Sequence, residues 1–401
     1  MLYRTMKKNG DSLSILGFGA MRLAQKDQKI DEARATRQIR DAVDQGVNYV
    51  DTAWPYHAGE SELFLGRALS GGYRDKVRLA TKLPSWLIKA QGDMDRYLDA
   101  QLKKLNTSRI DYYLLHGLNT PLWDSLKSFK ALEFLDKAKK DGRIVNAGFS
   151  FHGVSDLFPN IVDAYDWEFC QIQYNYLDTE NQAGKKGLEY AASRGLGVIV
   201  MEPLRGGTLG RPSPPSAVQE VWDTAQPKRS PVEWALRWVW NHPEVTSVLS
   251  GMNEESHIAE NIAIAQNAYP DSLTESELQL IEKAAQTYRK IMKVGCTGCG
   301  YCLPCPADVL IPTCFDTYNS MHMFNTTAEA PFMYVMRMGG SLTGKPGYAS
   351  QCVECGECLE RCPQQIDIPA QLEKVASELE GPNLTQLEQM VRQILYKPVD
   401  S

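Results

Sequence analysis

Eight cysteines, set in two runs, are the residues of this chain whose spacing commits them most clearly to chemistry. Cys296, Cys299, Cys302 and Cys305-Pro306 make the first run; Cys352, Cys355, Cys358 and Cys362-Pro363 make the second. Three cysteines at two-residue intervals wrap one iron–sulfur cubane, and a more distant Cys-Pro supplies the fourth thiolate, usually to the other cluster when two such motifs are present. The pattern predicts one or two [4Fe-4S] clusters, with Cys296, Cys299 and Cys302 joined by Cys362, and Cys352, Cys355 and Cys358 joined by Cys305. The second run has the full spacing, whereas the first has only Leu303 and Pro304 before its last cysteine. Zinc is the competing reading of paired Cys-x-x-Cys units, but an evenly spaced triplet followed by Cys-Pro has no evident use in a four-ligand site. A disulfide framework would need an oxidising compartment, and residues 1–8 hold no apolar stretch of signal-peptide length. Cys170 and Cys314 belong to neither run and read as small buried hydrophobes.

A second set of polar residues stands at the ends of apolar, β-like runs. Asp51 closes Tyr49-Val50-Asp51, Tyr56 follows just beyond it, Lys82 closes Ala80-Thr81-Lys82, and His116 closes Tyr112-Tyr113-Leu114-Leu115-His116. A lone His or Asp at a strand end more often satisfies a local hydrogen bond than performs chemistry. Four of them converging at one mouth would make a proton-transfer site.

The elements that must position them repeat along the chain. Strand candidates cover 15–18, 49–53, 77–82, 112–116, 144–150, 169–174, 198–202 and 245–250, with amphipathic helical patterns between them, as at 33–45, 94–105, 126–140, 188–194 and 232–240. Eight such units predict an α/β fold built on a closed (β/α)8 TIM barrel rather than an open doubly wound sheet. Asn9-Gly10, between short runs at 4–6 and 12–14, predicts a hairpin that caps the barrel's bottom. Residues 205–231, rich in Gly and Pro, predict a long loop after the seventh strand, with a short helix near 217–224. At that end of a barrel a long loop either folds over a bound cofactor or is a surface insertion. A helix over 274–290 leads into a smaller, mainly helical cysteine module. A Met- and Gly-rich segment over 321–347 separates the two cysteine runs, and a last helix covers 385–396. The expected domains are 1–285, 286–376 and a C-terminal helical extension, 377–401.

With these motifs in place, the chain resembles the aldo/keto reductases over about residues 1–285. Asp51-Thr52-Ala53-Trp54-Pro55-Tyr56, Ser61-Glu62, Thr81-Lys82, Leu115-His116, Gly148-Phe149-Ser150, Gln171 and Glu260-Asn261 follow in family order. The whole looks like the subgroup that carries a C-terminal ferredoxin-like module. The resemblance implies a catalytic tetrad on Asp51, Tyr56, Lys82 and His116, and NADP or NAD as the nucleotide. It implies that Gly19, Ala20, Met21 and Arg22 meet the nicotinamide end, Ser150 and Gln171 its carboxamide, and Leu204 to Gly206 the pyrophosphate. Ser250, Gly251 and Met252 then face the adenosine phosphates, and Glu260 with Asn261 the adenine. Met201 stands where many relatives stack a tyrosine on the nicotinamide. Gly251 and His257 replace the Lys and Arg that many relatives set against a 2′-phosphate, leaving NADP and NAD both open. His57 follows Tyr56 where the family usually has Gly.

Simple chemistry points to the same roles. A tyrosine hydroxyl, with an ordinary pKa of about 10, is a poor proton donor unless tuned. Lys82 is expected to lower the Tyr56 pKa, Asp51 to hold the ammonium, and His116 to polarise a substrate carbonyl. Trp54, Trp86 and Trp123, on loops after successive strands, either line an aromatic substrate pocket or pack in the core.

Composition narrows the partners. A formal net charge of −6 over 401 residues argues against general affinity for nucleic acid or an anionic membrane, and no apolar run approaches the ~20 residues of a membrane span. A cytoplasmic enzyme acting on a small carbonyl or alcohol is expected, with a redox protein as a further partner. Hydride transfer moves two electrons while a cubane passes one. The clusters are therefore open to three readings: exchange with an external partner, redox sensing, or holding the module folded. A non-catalytic nicotinamide-binding sensor or electron-transfer partner protein is the alternative to the enzyme.

Overall fold

The structure is a computed structural model that describes residues 1–27, 29–296, 302–324, 326–341, 344–362 and 366–395. Eight parallel strands close into a barrel: β1 (Leu16–Gly19), β2 (Tyr49–Asp51), β3 (Arg78–Leu83), β4 (Ile110–Leu118), β5 (Ile144–Phe151), β6 (Phe169–Gln173), β7 (Gly197–Met201) and β8 (Val245–Ser250). Each strand pairs with its neighbours in sequence, and β8 returns to β1. Period-two alternation explains the two layers. Tyr112 and Leu114 point inward with Tyr49, Phe169 and Ile199, whereas Tyr113 and Leu115 face the surrounding helices. Inside, the Tyr49 and Tyr112 rings meet edge to face at 5.4 Å and Tyr112 meets Phe169 at 4.9 Å, so the barrel is filled by side chains.

The expected hairpin pairs Tyr3–Thr5 with Ser12–Ser14. It lies at the N-terminal end of the strands, where Met6 and Leu13 plug the interior and Asn9 donates to Asn146 Oδ1 at 2.8 Å. The helices form for local reasons. In Glu32–Asp44, Asp31 caps the first turn through the Arg34 N–H, and Ala35, Gln38, Ile39 and Ala42 recur at three- and four-residue steps on the buried face. Thr274 and Glu277 form a reciprocal capping box that starts Glu275–Ile291.

Both expected domain junctions fall inside helices. Glu275–Ile291 runs through residue 285 and Ile368–Leu379 through residue 376. The Met- and Gly-rich segment over 321–347 holds the end of one helix, Ile311–Phe324, and the whole of another, Ala330–Met338, because the methionines and aromatics of these helices fill a second core. Tyr318, Tyr334, Met338, Leu372 and Val375 meet there, with Cys314 fully buried among them. Met323 and Phe324 leave that core and join Tyr176, Trp222 and Tyr288 of the barrel side. The last helix, Leu384–Leu395, packs against the turn Tyr56–Gly59. The cysteine module thus sits on the barrel's mouth. Among the described residues no helix is long and apolar enough to cross a membrane.

Candidate active site

The C-terminal ends of the strands open into one cavity of about 3270 Å³, roofed by the cysteine module. Single-ligand pockets run roughly 300–1,000 Å³, so this space has room for a dinucleotide and a substrate together. Asp51, Tyr56, Lys82 and His116 all line it. Lys82 Nζ lies 2.6 Å from Asp51 Oδ1, donates to the Thr52 carbonyl at 2.9 Å, and reaches the Tyr56 hydroxyl at 3.4 Å. Its side chain is 1 % exposed and that of Asp51 3 %. Each charge is met by the other, and that of Lys82 also by the Thr52 carbonyl. The His116 ring lies 6.3 Å from that of Tyr56 and 5.0 Å from that of Trp86.

Burial opposes the Lys82 charge, but Asp51 and Tyr56 outweigh it and hold the ammonium pKa above the ordinary lysine value. Tyr56 corrects one expectation. Burial raises its pKa above that of free tyrosine, and although Lys82 pulls the other way the net direction is upward. Desolvation penalises the phenolate more than one ammonium at hydrogen-bond range repays. The phenol is therefore held protonated. Burial, with the Lys82 charge, keeps His116 neutral by pushing its pKa well below the usual value.

The turn that carries Tyr56 is strained. His57 and Ala58 adopt left-handed φ of 52° and 54°, a conformation that favours glycine. His57 is anchored there, accepting from the Leu23 N–H at 3.1 Å while its other ring nitrogen meets Gln25 Nε2 at 2.8 Å. The Gly-to-His departure is compensated by these contacts with the chain that follows β1.

Most of the expected nucleotide contacts also reach the cavity: Gly19, Met21 and Arg22; Ser150 and Gln171; Met201, Leu204 and Gly206; Ser250, Gly251, Glu260 and Asn261. The buried Oε1 of Gln171 has no protein partner, which suits a ligand amide. Arg22 Nη1 donates to the Gly206 carbonyl at 2.7 Å, tying the β1 end to the loop after β7. Ala20 and Met252 are not brought to the cavity wall; both are buried in the barrel's outer core. Gly148 serves packing, since a Cβ there would meet the Phe169 ring at 2.4 Å. Trp86 lines the cavity, whereas Trp54 and Trp123 are core residues.

The cysteine runs meet as well. Cys305 of the first run lines a small pocket with Cys352, Cys355 and Cys358 of the second, and Cys302 joins them. Among the described residues Cys170, Cys305, Cys314, Cys352, Cys355, Cys358 and Cys362 are free thiols. Five thiols from both runs thus line one pocket, and thiolate is the donor an iron–sulfur cluster takes, although among the described residues no three stand close enough to hold a metal ion as placed. Cys296 lies instead at the wall of the large cavity, and Cys362 does not reach the small pocket. Cys299 and Pro363 lie outside the described residues.

Several polar residues of the mouth make contacts that the sequence did not single out. Arg205, in the loop after β7, bonds Asp178 Oδ2 through Nε at 2.9 Å and Ser320 Oγ through Nη1 at 3.0 Å, and pairs with Asp316 through Nη2. Arg337 takes the other Asp316 oxygen and donates to Thr317 Oγ1 at 3.1 Å. Glu202 and His152 complete the set. Both are open to the cavity yet surrounded by protein, and burial pushes Glu202 up and His152 down to about 4. Their only sequence signal is position, immediately after β7 and β5.

Comparison with known proteins agrees with this geometry. Residues 15–285 match the Aldo/keto reductase family, and residues 295–366 match the 4Fe-4S dicluster domain. L-galactose dehydrogenase of Arabidopsis thaliana is 26% identical over 305 residues, 69% of this chain and 93% of the relative. Methylglyoxal reductase YeaE of Escherichia coli is 26% identical over 297 residues, 71% of this chain and 95% of the relative. Among solved structures, an aldo-keto reductase of Bacillus halodurans in its holo form superposes with a TM-score of 0.60 at 26% identity, covering 72% of this chain and 97% of that one. The chain belongs to the aldo/keto reductase family, as an oxidoreductase whose TIM barrel is followed by a 4Fe-4S dicluster domain.

Proposed function

We propose that this enzyme is an NAD(P)H-dependent carbonyl reductase with Tyr56 as proton donor. The observation that carries the reading is the contact chain from Asp51 through Lys82 to the Tyr56 hydroxyl at the cavity wall. A reduced nicotinamide bound there supplies a hydride to the carbonyl carbon. Tyr56 gives its phenolic proton to the oxygen, and Lys82 stabilises the phenolate that remains. Neutral His116 donates a hydrogen bond to the carbonyl and polarises it. Asp51 keeps Lys82 charged and in place. The reverse reaction, oxidation of an alcohol, uses Tyr56 as base.

The nucleotide, NADPH or NADH, is assigned to Gly19, Met21, Arg22, Ser150, Gln171, Met201, Leu204, Gly206, Ser250, Gly251, Glu260 and Asn261. One [4Fe-4S] cluster is assigned to Cys305, Cys352, Cys355 and Cys358, and a second to Cys296, Cys299, Cys302 and Cys362. The domain division at 285 and 376 is kept as a functional one, reductase barrel, cluster module and closing helix. Electron exchange with a redox protein is the cluster role we assign.

The test mixes anaerobically prepared protein with NADPH or NADH and a panel of aldehydes and ketones in a stopped-flow instrument. Nucleotide oxidation that depends on the carbonyl is expected, and Tyr56→Phe should abolish it while nucleotide still binds by fluorescence quenching. A Tyr56→Phe variant at full rate would overturn the proton-donor assignment, and an inert wild-type protein would favour a sensor.

A further inference from the structure

Arg337 belongs to the cluster module, yet it faces the same cavity as Tyr56 and Lys82. Its Nη1 is committed to Asp316 and Thr317, while among the described residues Nη2 and Nε donate to no protein group. The module is fixed over the mouth at three places. Asp316 and Ser320 hold Arg205, Phe324 accepts from Arg211 through its carbonyl at 2.6 Å, and Leu384–Leu395 packs on the Tyr56 turn. The roof therefore cannot be removed from the site without breaking buried ion pairs.

The space beneath it is bounded by matched donors and acceptors. His152 lies against Gly117, beside His116, where a Cβ on Gly117 would meet its ring at 3.7 Å. The charges of both Lys82 and Arg337 act on His152, and Glu202 acts on Tyr56 while feeling Arg337. These groups therefore surround one volume. Buried in its wall, Trp86 Nε1 is a donor with no protein partner among the described residues. Unpaired buried polar atoms carry a cost that a ligand relieves.

We propose that the iron–sulfur module completes the substrate site, and that Arg337 is a specificity-determining residue selecting an uncharged, hydroxyl-rich carbonyl substrate of the sugar or polyol-aldehyde class. A hydroxyl both donates and accepts, so it satisfies the free fork of Arg337 and the Glu202 carboxylate together. A carboxylate-bearing substrate would set its own charge against Glu202, Asp316 and Asp178. An alkyl aldehyde would leave the donors unmet. The face of Trp86, next to His116, suits the C–H face of such a substrate. The inference rests on the reductase reading for its chemistry, but not for its binding geometry.

The test compares glyceraldehyde, propanal and glyoxylate as substrates of the cluster-loaded full chain, with Arg337→Met and Arg337→Lys. Wild-type protein should favour glyceraldehyde over propanal by at least about tenfold in kcat/KM. Arg337→Met should erase that preference through KM, leaving propanal within about twofold, and retention of the cluster's visible absorption would report an intact module. Should Arg337→Met lose the absorption, Arg337→Lys decides, since it keeps a charge on Asp316 but lacks the planar fork; a KM increase for glyceraldehyde alone is expected. Equal losses on all substrates, no change, or an Arg337-dependent preference for glyoxylate would each overturn the inference while leaving the reductase reading intact. If no carbonyl is reduced, that reading fails, and calorimetric titration with erythritol decides the inference separately. Binding by wild-type but not by Arg337→Met supports it; absence of binding by wild-type protein overturns it.

Discussion

Arg205, on the loop after β7, and Asp316, on the Ile311–Phe324 helix, form an ion pair that joins the barrel to the cluster module across 111 positions of sequence. Arg337 occupies the second Asp316 oxygen. Burial by itself would raise the Asp316 pKa, but the two guanidiniums hold it at about 2. A carboxyl with a folded pKa below its unfolded value of about 3.9 stabilises the fold above that value and loses the contribution as pH falls through the folded one. Asp316→Asn is expected to lower stability by roughly 3 kcal/mol at neutral pH, read as an earlier urea midpoint. The gap from wild type should narrow as pH falls from about 4 toward 2. A gap independent of pH would mean the clamp is not electrostatic.

The pH profile of reduction follows from the mouth's titrating groups. His116 lies well below the usual histidine value and His152 at about 4, so neither changes charge near neutrality. Tyr56 must be protonated to donate, and its pKa is raised. The rate of carbonyl reduction should therefore be flat across neutral pH and fall only above the ordinary tyrosine value of about 10. A limb centred near 6.5 in kcat/KM would assign proton transfer to a histidine instead.

Lys82→Met removes the only cation within hydrogen-bond distance of the Tyr56 hydroxyl among the described residues. Single-turnover hydride transfer should slow by about 10²–10⁴, and Asp51, left buried without its partner, should cost on the order of 3–5 kcal/mol of stability. Rapid-quench kinetics and denaturant titration read the two effects separately. A rate within about tenfold of wild type would remove Lys82 from the proton-transfer assignment.

Exchange of ligands between the cysteine runs is directly measurable. Cys305 shares its pocket with Cys352, Cys355 and Cys358, although it belongs to the first run by sequence. Anaerobic wild-type protein should hold about eight irons and Cys305→Ser about four in stable form. Spectroscopically, the cluster lost should be the one also lost in Cys355→Ser. If Cys305→Ser instead matched Cys296→Ser, each run would hold its own cluster.

The degree to which the site was legible depended on the range of the interaction involved. Asp51, Lys82 and His116 could be found because each ends an apolar run, and in a parallel barrel all strand ends of one polarity share a face. Arg337 gave no comparable signal; it lies within a Met-rich helix whose period marks it as a core element with a polar edge. Ala20 and Met252 were expected at the cavity from the family resemblance, but their side chains turn into the outer core.

By itself the sequence determined the barrel and the cysteine module, and it set Asp51, Lys82 and His116 at strand ends. These follow from alternation, helical period and cysteine spacing, all properties of a short stretch of chain. Only the tertiary structure decided that the module roofs the mouth, that Arg205 and Arg337 share Asp316, and that the Tyr56 pKa moves upward. Those outcomes depend on which distant surfaces meet and how much water they exclude, and desolvation and long-range ion pairing have no period along the chain.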